Sequence, residues 1–121
     1  GPYWHLRGNG GLLSNVGDLY RWSLVLGSDS IFSREALEKH LTPKVSEGLL
    51  SGGSQYAYGW SVSTDRKGRR VIEHNGSNGI FFADLRVYPE ERTVLVLATN
   101  ASGLKYMSEL SRVARMVFEE K

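Results

Sequence analysis

The stretch from Val71 to Asn100, VIEHNGSNGIFFADLRVYPEERTVLVLATN, limits the possible folds of this chain more than any other. It reads as three consecutive strands. The first ends at His74-Asn75-Gly76-Ser77, the second runs from Ile80 to Tyr88, and the third from Thr93 to Thr99 after a turn at Pro89-Glu90-Glu91-Arg92. In the second strand Phe81, Ala83, Leu85 and Val87 alternate with Phe82, Asp84, Arg86 and Tyr88, a period of two with one face greasier than the other. Val94 to Leu97 is continuously apolar, which predicts a strand covered on both faces. The short connections predict antiparallel pairing.

The rest of the chain supplies helices. Ser14 reads as an N-cap, with Asp18 in the first turn where the helix dipole favours a carboxylate. Val16, Leu19, Tyr20, Ser23 and Leu24 fall at helical spacing, Trp22 and Leu26 widen the stripe, and Gly27 closes it. Ser33 caps a second helix, Arg34 to Leu41, which Thr42-Pro43 ends. Lys44 to Gln55 reads as a surface loop. Tyr56 to Thr64 reads as a strand with Tyr58, Trp60 and Val62 on one face, forming a hairpin with Val71-Ile72-Glu73. Leu104 to Glu120 is the last predicted helix, with Leu104, Met107, Leu110, Ser111, Ala114, Val117 and Phe118 on one face. The predicted class is α+β: a three-stranded meander plus a hairpin, an antiparallel sheet packed against N- and C-terminal helices.

Size and composition set bounds on function. At 121 residues the chain is one domain, residues 1–121. No apolar run approaches the ~20 residues that span a bilayer, so no membrane span is expected. The formal net charge of +2 is too small to argue for nucleic acid. The basic run Arg66-Lys67-Gly68-Arg69-Arg70 reads as a solvated hairpin turn with Gly68 at positive φ. There are no cysteines, which removes thiol nucleophiles, thiolate metal sites and disulfides and leaves the compartment open. His5, His40 and His74 lack metal-ligand spacing, so neither a metal nor a cofactor is expected. The glycines at 8, 10 and 11 lack the spacing of a dinucleotide loop.

Four segments, in this order, carry a resemblance: RGNGGLLSNVGDLYRW (Arg7 to Trp22), YGW (Tyr58 to Trp60), HNGSNGIFF (His74 to Phe82) and VYPEERTVLVLATN (Val87 to Asn100). Together they resemble the C-terminal half of the serine β-lactamase and penicillin-binding protein family, in the branch of class C β-lactamases, DD-peptidases and related esterases. The resemblance implies a partial β-lactamase/transpeptidase-like fold. It also implies hydrolysis of an amide or ester, with a β-lactam or a D-amino-acid peptide among the candidate substrates. His74-Asn75-Gly76 resembles the His-x-Gly variant of the family's Lys-Thr-Gly motif. His74, Asn75, Gly76 and Ser77 would then form a substrate and oxyanion wall. His74 would offer a donor or a cation, Gly76 would let substrate lie against the strand, and the Ser77 N–H would face the developing oxyanion.

The family's nucleophile is the serine of a Ser-x-x-Lys helix in its N-terminal part. The expectation is that no Ser-x-x-Lys and no catalytic residue lie in this chain, and no Tyr-x-Asn or Ser-x-Asn second motif is found in it. A wall without a nucleophile does not run acyl transfer at useful rates, so the chain alone is expected to be inactive. A Ser77-His74-Asp84 triad is disfavoured, because residues three apart on a strand point to opposite faces. In the family fold the sheet continues past the strand at Thr93 to Thr99, and here that edge would be exposed. The expected partners are therefore a complementing N-terminal segment or a second copy of the chain. The alternative reading is a non-catalytic folded remnant or interaction module that self-associates through the same edge.

Overall fold

A computed structural model describes residues 10–48, 53–101, 106 and 108–119. Three helices, α1 (Val16–Leu24), α2 (Arg34–Leu41) and α3 (Glu109–Glu119), flank six strands. The strands are β1 (Val45–Ser46), β2 (Gln55–Tyr56), β3 (Ser61–Thr64), β4 (Arg70–Ser77), β5 (Phe82–Tyr88) and β6 (Thr93–Thr99). They form one antiparallel sheet in sequential order, a single meander rather than a meander with a separate hairpin. The predicted α+β class therefore holds.

The pairing register fixes which side chains share a face. Ile72 pairs Val87, His74 pairs Leu85, and Leu85 in turn pairs Val96. Ile72, Leu85 and Val87 join Leu26, Leu41 and Trp60 in one core, with Leu37, Val94 and Val96 against it. On the opposite face Val71, Tyr88 and Leu95 pack with Leu110 and Ala114 of α3, with Leu97, Val113 and Phe118 at the margin. The apolar run of β6 thus feeds two cores, as its composition predicts. β6 also terminates the strand order.

The less greasy face of β5 is buried as well. Phe82, Asp84 and Tyr88 are all buried there. The register places Glu73 beside Arg86 and Asn75 beside Asp84. Arg86 bonds Asp84 through Nη2 at 2.9 Å, Glu73 through Nε at 3.0 Å and the Ser111 hydroxyl of α3 through Nη1 at 2.7 Å. One guanidinium thereby joins β4, β5 and α3. This pairing lowers the cost of placing charged residues under a helix.

Several boundaries differ from the sequence reading. Asn15, not Ser14, caps α1, its side chain accepting from the Asp18 N–H at 3.0 Å. α1 turns Leu19, Ser23 and, through the following 3₁₀ turn, Leu26 inward, while Val16, Tyr20, Trp22 and Leu24 stay exposed. Its apolar residues spread over more than half of the helix circumference, so its sequence left more than one stripe available for burial. β5 begins at Phe82, because the Asn78 side chain accepts from the Ile80 and Phe81 N–H groups and holds both in a turn. The strand read as Tyr56 to Thr64 is broken by a turn at Ala57 to Gly59, so exposed Tyr58 leaves the face of Trp60. The predicted loop Lys44 to Gln55 contains β1 and reaches β2. α3 starts at Glu109 rather than Leu104, and Val117 is exposed; Leu104 and Met107 lie outside the described residues. The capping of α2 by Ser33 and the turn at Gly68, with φ +82°, agree with expectation.

Candidate functional site

β4 changes character along its length. Val71 and Ile72 are buried between the two cores, whereas His74, Asn75, Gly76 and Ser77 are all exposed. Its two edges differ as well. On one side β5 pairs it from Ile72 through to Ser77. On the other, β3 pairs only Arg70 to Glu73, and among the described residues no strand of the sheet accompanies residues 74–77. The result is a half-open edge: four residues held straight by β5 and free to meet an extended ligand on their other side. A Cβ on Gly76 would meet nothing within 4 Å, so glycine leaves room beside the strand without being demanded by its own backbone.

The four predicted wall residues are therefore contiguous and accessible. His74 and Gly76 lie on the face of Ile72, and Asn75 and Ser77 on the face of Asp84, as strand alternation requires. Ser77 consequently does not share a face with His74. Its hydroxyl instead accepts from the Gly79 N–H at 3.2 Å. The disfavoured Ser77-His74-Asp84 triad finds no support in this geometry, and Asp84 is engaged with Arg86.

Two neighbours of His74 were not anticipated. The Tyr56 hydroxyl lies 3.0 Å from His74 Nε2, with the two rings edge to face. Glu47, in the connection after β1, accepts from the Ser54 hydroxyl at 2.6 Å and from the Ser61 hydroxyl. These hydrogen bonds lower the Glu47 pKa, with a smaller contribution from the positive charge available at His74. Burial pushes the carboxyls of Glu73 and Asp84 upward, outweighing the opposing pull of Arg86. No spacing rule links Glu47, Tyr56 and His74; they meet only because β1, β2 and β3 fold back as a short meander. An open groove of about 500 Å³ lies elsewhere, between Pro43, Gln55, Val62, Thr64 and Arg70, and includes none of these groups.

Among the described residues no group of three or more His, Cys, Asp or Glu side chains could hold a metal, and no helix is long and apolar enough to cross a membrane. The expectation that no Ser-x-x-Lys occurs needs correction from the sequence itself. Ser102-Gly103-Leu104-Lys105 has that spelling. The tetrad lies outside the described residues, but its anchor is described. It follows Thr99, which pairs Phe82, which pairs Ser77. Thr99 is thus two strands from Ser77, ~10 Å at the usual strand spacing, on the β5 side rather than the open side of β4.

The sheet, its helices on both faces and the half-open β4 edge make an α+β scaffold. The Beta-lactamase family model matches residues 1–116, and the chain belongs to that family. Its structure is similar to that of the octameric penicillin-binding protein homologue from Pyrococcus abyssi, with a TM-score of 0.74 and 29% identity. That similarity covers 87% of this chain and 25% of the other, so the chain spans about a quarter of that protein's length. No curated protein matches the sequence.

Proposed function

We propose that the chain is the C-terminal part of a β-lactamase-like serine hydrolase, and that His74, Asn75, Gly76 and Ser77 form its substrate and oxyanion wall. The observation that carries this reading is the half-open edge of β4, where those four residues are exposed beside an edge that no strand among the described residues pairs. An acyl substrate lying along that edge would be positioned by backbone groups, with the Ser77 N–H as one donor to the oxyanion. The nucleophile and its base come from residues outside this chain, and the chain alone does not turn over substrate. The substrate class is an amide or ester, with β-lactams and D-amino-acid peptides as candidates. The exposed stripe of Val16, Tyr20 and Leu24 on α1 fits a face that further residues of a longer chain would cover.

The test uses a longer form that supplies a Ser-x-x-Lys segment upstream, assayed with a chromogenic cephalosporin and a p-nitrophenyl ester. Gly76→Val should lower kcat/KM by ~100-fold, because a branched side chain displaces the substrate from the strand. The same substitution should leave the urea midpoint unchanged, since its Cβ meets no neighbour. Unaltered turnover in a stably folded Gly76→Val protein would refute the wall.

A further inference from the structure

We propose that Tyr56 is a positioning residue for His74, holding the imidazole in the tautomer protonated on Nδ1; this rests on the wall reading above. The Tyr56 hydroxyl and His74 Nε2 are 3.0 Å apart. A phenol is the better donor of the two and an imidazole nitrogen the better acceptor, so the hydroxyl donates to Nε2. A neutral imidazole carries one proton, which then sits on Nδ1. Among the described residues no hydrogen bond engages Nδ1. The wall thus presents one directed N–H, suited to a substrate carbonyl or carboxylate oxygen, rather than a freely rotating ring.

Tyr56 is itself well fixed. Its carbonyl accepts from the Lys44 N–H at 2.8 Å, and β2 pairs with both β1 and β3. The edge-to-face contact, with ring centroids 6.2 Å apart, restrains the rotation of His74. The charged groups acting on this part of the structure are Glu47 from the β1–β2 connection and Asp84 from the far face of β5, and neither hydrogen-bonds the ring.

The experiment is a long-range ¹H–¹⁵N correlation spectrum of the histidine rings at pH ~8.5, where histidine is ordinarily neutral. The His74 signals are assigned by their loss in His74→Gln. The 121-residue chain suffices, because the readout needs no turnover. In the native chain the Nδ1–H form should be the major species, and in Tyr56→Phe it should fall to the minor one. A native Nε2–H form, or an Nδ1–H form unmoved by Tyr56→Phe, would overturn the assignment. If Tyr56→Phe unfolds, the native spectrum decides alone. The tautomer can fail while the Gly76→Val result stands, and the reverse holds equally, so the two readings are separable.

Discussion

Arg86 shows at the scale of a single residue how much of this fold depends on one charge. Its side chain is only 13% exposed and faces Asp84, which is 1% exposed, and Glu73. Arg86→Met should cost about 3–5 kcal/mol, the usual penalty for stranding buried carboxylates, read as a lower urea midpoint at neutral pH. The pH dependence has a definite sign. Burial already raises the folded-state pKa of both carboxyls above their ordinary 3.8 and 4.5. Their contribution to stability is therefore full below those values and is lost as pH rises through the raised ones. Removing Arg86 raises them further, so the deficit of Arg86→Met should shrink on acidification. Glu47 runs the other way. The Ser54 and Ser61 hydroxyls lower its pKa from 4.5, so its contribution is present above that value and disappears as pH falls through the lowered one. A Glu47→Gln variant should therefore differ most from the native chain at pH 7 and converge with it in acid. The alternation of Asp84 and Arg86 in the sequence suggested a wetter face, and nothing local signals that α3 closes over it.

The strands and helices divide into those whose local pattern settles them and those that need tertiary context. β4 and β6 are legible to within a residue or so, because period-two or continuous apolar patterning coincides with turn chemistry at Asn78-Gly79 and Pro89-Glu90. α2 is equally plain, bracketed by Ser33 and Pro43. At the start of β5 the pattern misleads: Ile80 and Phe81 extend the apolar run, yet Asn78 captures both N–H groups in a turn. Leu85→Ala should accordingly cost ~2–5 kcal/mol, since Leu85 lies in the core with Trp60 and Ile72. Ile80→Ala, at a position 63% exposed, should stay within ~0.5 kcal/mol. Equilibrium urea unfolding of both variants tests the boundary. β1 and β2 are two residues each, too short to carry any period, and they exist because β3 offers them an edge. That is also why the Tyr56–His74 contact was invisible in the sequence: its two residues are separated by 18 positions and joined only by the meander.

At the scale of the molecule, the described residues close two cores around one sheet and keep an apolar stripe of α1 exposed. Val16, Tyr20 and Leu24 are each about half exposed along one side of α1, and β6 ends the sheet. A strand edge and an apolar stripe in water favour association. The 121-residue chain should therefore run above monomer mass in size-exclusion chromatography with light scattering at tens of micromolar, and Tyr20→Glu with Leu24→Lys should lower that mass. The resemblance of His74-Asn75-Gly76 to a family motif was legible because three adjacent residues in fixed order carry it. The proposal that the nucleophile lies outside this chain does not rest on spelling, since the sequence does contain the tetrad Ser102 to Lys105. Intact-mass spectrometry after prolonged incubation with excess fluorophosphonate probe tests this most directly. An unmodified chain is the outcome that a wall separated from its nucleophile requires, and a stoichiometric adduct mapped to Ser102, Ser77 or any other serine would contradict it.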